Sequence, residues 1–174
     1  MNAMPALHTV RDATAADAAA CADIYAPYVT DTAATFELQA PTAEEMAVRI
    51  AAARSRHAWL VLEDAGGTVA GYAYGGAFRA RAAYDRCCEV SVYLRRGLRR
   101  TGAGRTLYTA LLPRLAERGM TRAIACMTLP NDASLGLHRA LGFTDVGVMH
   151  KVGFKHGAWH DVAWAELDLT APPA

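Results

Sequence analysis

At 174 residues the chain has the length of one compact core, and an apolar content of 53% gives that core ample material. No apolar run approaches the roughly 18 residues that a membrane span needs, so a bilayer partner is not expected and the apolar excess belongs in the interior or in an interface. A net charge of +1, from 18 basic and 17 acidic residues, excludes bulk attraction to nucleic acid or anionic lipid, and any anion site must be local.

The opening MNAMPALHTVRD has no basic segment followed by a long apolar one, so a secretory signal is not expected and a cytoplasmic location is. Cys21, Cys87, Cys88 and Cys126 lack CxxC spacing and are too few for a disulfide framework; they read as small buried apolar side chains.

The predicted elements begin with a short apolar strand at 8–10. Thr14, followed three residues later by Asp17, resembles a capping box and opens an alanine-rich helix. That helix is expected to end by Tyr25 or Ala26, because Pro27 disfavours helical geometry in its predecessor and has no backbone N–H. Residues 27–40 then read as a polar loop in which Tyr28 and Phe36 either anchor to the core or wall a pocket. Thr42 with Glu45 is a second capping signature, predicting a helix to about Arg56 with Met46 and Ile50 on one face.

Residues 59–63 and 68–74 read as a hairpin around a two-residue Gly66-Gly67 turn, with Gly75-Gly76 breaking the second strand. A polar connection, FRARAAYDR, leads into a strand at 88–94, a glycine-bearing turn and a helix interrupted by Pro113, which must kink it or move its end. Gly119 terminates that helix, residues 121–128 form a short buried strand, and Ser134 opens a helix that Gly142 closes. Two last strands, at 146–152 and 161–169, flank a loop GFKHGAW, and the proline-containing tail is expected to fray. The order is strand, two helices, three strands, helix, strand, helix, two strands: an α/β domain over 1–174 with one mixed sheet and helices on its faces.

The turn RRTGAGRT can hold phosphate, because helix-start amides are unpaired and the macrodipole makes that end partly positive. It lacks the GK[ST] of a P-loop and the third glycine of GxGxxG, so neither standard nucleotide fold is supported. It does fit Arg-x-x-Gly-x-Gly from Arg99 through Gly102 to Gly104, and in this it resembles the coenzyme A pyrophosphate motif of the GNAT acetyltransferases. Together with FRARAAYDRCCEVSVYL, LPNDASLGLHRALGF and GFKHGAWHDV, in order and spacing, the chain from about 10 to 169 resembles the phosphinothricin and methionine sulfoximine/sulfone N-acetyltransferases.

The resemblance implies a GNAT-type mixed, mostly antiparallel sheet with helices on both faces, acetyl-CoA as co-substrate, no metal, and a homodimer acting on a small amino-acid-like amine. Backbone groups of Val92, Tyr93 and Leu94 would pair with the pantetheine arm. Arg99, Arg100, Thr101, Gly102, Ala103 and Gly104 would cradle the pyrophosphate, with Asn131 and Ser134 contacting the cofactor from the opposite side. Glycines that admit the backbone and arginines that add charge to an amide nest agree with this assignment.

Making an amide from an amine and a thioester needs a neutral amine, a stabilised oxyanion and a proton for the thiolate. Glu89 shares a strand face with Ser91 and Tyr93, opposite Val90, Val92 and Leu94; burial there raises a carboxyl pKa toward that of a working base, and the resembling family carries its base in this EVSVY position. The alternative is an ion pair with Arg79 or Arg86. His138 lies one helical turn from Ser134 and is a candidate acid, a second base acting through water, or a structural histidine. A backbone amide near Val92 would serve as the oxyanion donor.

Arg79 and Arg81, two apart in an extended segment, are either solvated loop arginines or suit a carboxylate or phosphinate; the resemblance implies the second, with Tyr84 completing the group and Phe36 as a further substrate contact. His156 and His160 have no cysteine pair beside them and are assigned to a loop and interface rather than to zinc, and direct transfer is preferred to a Cys88–His138 nucleophile pair. Two rival functions are a catalytically silent coenzyme A-binding regulator and nucleic-acid binding through LRRGLRR. The Glu89–His138 combination argues against the first and the near-neutral charge against the second.

Overall fold

The computed structural model describes residues 9–98 and 100–170. Four helices, α1 (Ala18–Asp31), α2 (Ala43–Arg56), α3 (Ala103–Glu117) and α4 (Asp132–Ala140), flank one sheet. Its strands are β1 (Thr9–Asp12), β2 (Trp59–Glu63), β3 (Val69–Ala77), β4 (Cys87–Leu94), β5 (Arg122–Thr128), β6 (Thr144–Lys155) and β7 (Ala158–Asp168). One-turn 3-10 helices precede α1 and β4. The element order is the one read from the sequence.

The sheet runs β1-β2-β3-β4-β5-β7-β6, antiparallel throughout except between β4 and β5. On one face α3 and α4 cover a core of Leu60, Ala73, Cys88, Val90, Ala123 and Ala125, into which α3 inserts Leu107, Leu111 and Leu115. On the other, α1 and α2 press Val29, Met46 and Ile50 onto Trp59, Val61 and Tyr72. Among the described residues no helix is long and apolar enough to cross a membrane.

Several predicted boundaries move, each for a local reason. Helix α1 passes through Pro27 to Asp31. Contacts on both sides of the proline outweigh the one lost backbone bond: the Tyr25 ring meets Tyr93 edge-on, Tyr28 donates to the Leu94 carbonyl and Val29 is buried. The Thr14–Asp17 signature survives as a bond from the Thr14 N–H to the Asp17 carboxylate, opening the 3-10 turn that feeds α1.

Strand β3 continues through Gly75 and Gly76, which pair with Val90 and Glu89. A Cβ on Gly75 would lie 2.7 Å from the Leu115 side chain, so this glycine admits α3 rather than breaking the strand. The β2–β3 turn is longer than two residues: Asp64 caps it, its carboxylate accepting from the Gly66 and Thr68 amides. Helix α3 runs through the exposed Pro113 to Glu117, so its end is not displaced; Gly119, at φ +84°, ends it as expected, with the Met120 amide bonded back to Leu115. The expected GFKHGAW loop is instead mostly strand, closed by His156 and Gly157 at φ +52° and +73°.

Candidate active site

The one parallel pairing fixes where the site lies. β4 and β5 are in register only from Cys87 opposite Arg122 to Glu89 opposite Ile124, although β4 continues to Leu94 and β5 to Thr128. Past Glu89 the two strands part, and the edge of β4 toward β5 has no partner strand. The resulting cleft has a volume of about 920 Å³; Val90–Leu94 positions line one side, Cys126, Met127 and Thr128 the other, and the starts of α3 and α4 close its mouth.

Gly102 precedes α3 at φ +82°, a left-handed conformation that glycine adopts without strain, and the first bond in the helix runs from Thr106 N to the Gly102 carbonyl. The amides of Ala103, Gly104 and Arg105 therefore have no helical acceptor and meet the cleft beside Arg100, a donor set that fits a diphosphate. A Cβ on Gly104 would come within 3.1 Å of Leu137, so glycine here also lets α3 approach α4. At the start of α4, Asn131 accepts the Ser134 amide at 3.2 Å, and both residues line the cleft.

Of the cofactor candidates, Val92, Tyr93, Leu94, Arg100, Gly102, Ala103, Gly104, Asn131 and Ser134 come together in this cleft. Thr101 does not line it; its hydroxyl donates to the Leu98 carbonyl at 2.8 Å and shapes the turn. Arg99 lies outside the described residues. The Leu94 carbonyl is already engaged by Tyr28 at 2.7 Å, which leaves one lone pair for a ligand.

His138, 4% exposed, lines the cleft between two partners. Its Nδ1 lies 2.7 Å from the Ser134 carbonyl, which can only accept, so Nδ1 carries the proton and Nε2 accepts from the Tyr108 hydroxyl at 3.2 Å. Burial lowers the imidazole pKa below its ordinary value, opposed by the bond to Ser134, and so favours the neutral ring.

Glu89 is the last β4 residue in register with β5, and its strand neighbours Cys88 and Val90 face the α3 core, so its side chain points to the opposite face. Burial raises its carboxyl above the ordinary range, and the nearby Arg79 charge partly opposes the shift. Among the described residues no ion pair joins Glu89 to Arg79 or Arg86, although the Arg79 charge acts on the carboxyl. Burial and the Glu89 charge also push the Cys126 thiol up to about 12, so Cys126 is not a nucleophile.

The substrate candidates come from separate segments. The Arg79 guanidinium sits 4.9 Å over the Phe78 ring, whose neighbours are Tyr84 and Trp164, edge-on at 5.7 and 6.2 Å. Arg81 is exposed at the start of the 3-10 turn. Phe36, in the α1–α2 loop, tilts toward His160 at 6.2 Å. Arg79, Arg81, Tyr84 and Phe36 thus stand outside the cleft. Phe36 is not simply a core anchor, being 38% exposed.

Sequence reading missed Arg105, Tyr108, Cys126 and His160 as cleft residues. Tyr108 was recoverable, because it falls one helical turn after Gly104 on the face already assigned to the cofactor. Among the described residues no cluster of His, Cys, Asp or Glu is arranged to hold a metal ion.

Comparison with known proteins agrees with this geometry. The acetyltransferase (GNAT) domain family matches residues 10–164. The chain is 42% identical to a phosphinothricin N-acetyltransferase of Streptomyces viridochromogenes, over 94% of this chain and 90% of that one. It is 38% identical to an L-methionine sulfoximine/L-methionine sulfone acetyltransferase of Pseudomonas paraeruginosa, over 92% and 94%. The crystal structure of a GNAT superfamily phosphinothricin acetyltransferase from Sinorhizobium meliloti in complex with acetyl-CoA superposes with a TM-score of 0.90 at 38% identity, covering 98% of this chain and 94% of that one. The chain belongs to the GNAT acetyltransferase family.

Proposed function

We propose that this protein, as one catalytic domain, transfers the acetyl group of acetyl-CoA to the amino group of a small amino-acid-like amine of the phosphinothricin or methionine sulfone/sulfoximine type. One observation carries the reading: β4 and β5 part just past Glu89 into a cleft of about 920 Å³ whose mouth is lined by the unpaired amides that start α3 and by Arg100. Acetyl-CoA supplies the activated thioester. The unpaired edge of β4 receives the pantetheine arm, the α3 amides with Arg100 receive the pyrophosphate, and Asn131 and Ser134 flank it.

Glu89 takes the proton the amine must lose as its nitrogen bonds to the acetyl carbon and the carbon–sulfur bond breaks, and coenzyme A leaves as a thiolate that takes a proton from water to become the free thiol. A neutral His138 with Nε2 as acceptor serves as a base or proton relay with Tyr108 rather than as the acid. Arg79 and Arg81 hold the acceptor's carboxylate or phosphinate, with Tyr84 and Phe36 beside it. Acetylation of a panel of such amines, read by release of free thiol, tests the reading. Binding of coenzyme A without turnover on any amine would instead make the protein a silent binder.

The protein works in the cytoplasm as a homodimer in this reading. Support for a second copy comes from β6 and β7, which expose Val146, Val148, Val152, Phe154 and Trp159 on a long edge hairpin. Sedimentation at micromolar concentration distinguishes dimer from monomer.

A further inference from the structure

Lys155 is 3% exposed, yet it is a charged residue near the end of β6. Its ammonium donates at 2.7 Å to the carbonyl of Thr35, 120 residues earlier in the α1–α2 loop. One further bond joins the same segments, from His156 Nε2 to the Thr32 carbonyl at 3.3 Å, while His160 Nε2 on β7 donates to the Lys155 carbonyl at 3.1 Å and steadies the end of β6. Gly153 completes the seat, because any Cβ there would run into the ring of Phe36.

The loop held this way touches both halves of the site. Thr32, Ala33 and Ala34 line the cleft, and the Thr35 hydroxyl bonds the Tyr25 hydroxyl at 2.7 Å. Glu37, on the same loop, accepts from the Tyr25 hydroxyl at 3.2 Å, and the Tyr25 ring meets Tyr93 edge-on at 4.8 Å; Tyr93 shares the strand face of Glu89, so the loop packs on the side of the sheet that carries the proposed base. We propose that Lys155 is a positioning residue for acetyl transfer: its ammonium pins the 32–37 loop, seats Phe36 on Gly153, and so sets the wall against which the acceptor amine rests. The proposal rests on the reading that the Glu89 side of the sheet receives the acceptor.

A buried ammonium is a costly way to hold a loop, since the ion gives up its hydration for one carbonyl and the more distant charge of Glu37. Replacing it with an apolar chain of similar length removes that cost along with the pin. Lys155→Met is therefore expected to melt no lower than the parent protein while its loop loosens. A residue needed only for folding would do the reverse.

The experiment compares the parent protein, Lys155→Met and Lys155→Arg by amide hydrogen exchange over 32–37 and by steady-state kinetics with methionine sulfone as the acceptor. In Lys155→Met we expect faster exchange in the loop, an acceptor KM raised about tenfold, kcat changed by less than about threefold, and partial recovery in Lys155→Arg. Unchanged exchange overturns the pin. Faster exchange with an unchanged acceptor KM overturns the positioning role. If the parent protein acetylates no amine, the proposed function fails, and hydrogen exchange still decides whether Lys155 holds the loop.

Discussion

Past Glu89, the site is made of main chain: the open edge of β4, the amides that start α3 and a left-handed glycine. On the near side the proposed acceptor site draws on side chains from distant segments, with Arg79 and Tyr84 before β4, Trp164 on β7 and Phe36 between α1 and α2. The materials match the demands. A diphosphate and an amide-bearing arm offer the same groups in every molecule of the cofactor, and backbone donors suffice for them. Discriminating among amines that differ by a methyl or an oxygen requires side chains, whose identity can change without disturbing the sheet.

Substitutions break this comparison at different points. Glu89→Gln has the largest expected effect, because the proposed base serves the chemistry rather than either binding half: kcat is expected to fall by about 100- to 1000-fold, while calorimetry finds coenzyme A affinity within about twofold of the parent. An unchanged kcat removes Glu89 from the mechanism. Gly102→Val strikes the main-chain half. A β-branched residue at φ +82° costs roughly 1–3 kcal/mol, so the turn relaxes and coenzyme A binds about tenfold more weakly, with the acceptor KM held. Arg79→Ala and Arg81→Ala strike the other half, each raising the acceptor KM about five- to tenfold with the KM for acetyl-CoA unchanged. If those two variants weaken coenzyme A instead, the division between the halves is wrong.

The same contrast explains what could be read before the structure. Gly102, Gly104 and the β4 alternation were legible because a left-handed turn and a period of two leave local marks on the sequence. The α2 cap was legible for the same reason: Thr42 and Glu45 bond each other's backbone within four residues. Pro27 and Gly75 misled because their local preference lost to contacts far along the chain, Tyr93 and Leu94 for one and Leu115 for the other. Lys155 left no mark at all, since its carbonyl partner is 120 residues away and belongs to the backbone. A site assembled from separate segments is visible as residue types only once the sheet has brought them together.

The smallest expected effect concerns stability rather than turnover, and it isolates Glu89 from both binding halves. Its folded pKa lies above the unfolded value of about 4.3, so the folded protein binds this proton more tightly than the unfolded chain does. Above the folded pKa the ionised, partly buried carboxylate subtracts a constant amount of stability. As pH falls from the folded pKa toward the unfolded one, the deficit shrinks, and below both it is gone. Glu89→Gln removes the ionisation and hence the deficit, so the variant should melt about 2 °C above the parent at pH 8 and level with it at pH 4. Partial solvent access at Glu89 keeps the gain this small. Melting curves across that pH range check the sign: a variant that is less stable at pH 8 would mean that the carboxylate is held by a favourable partner, and its value as a base would fall with it.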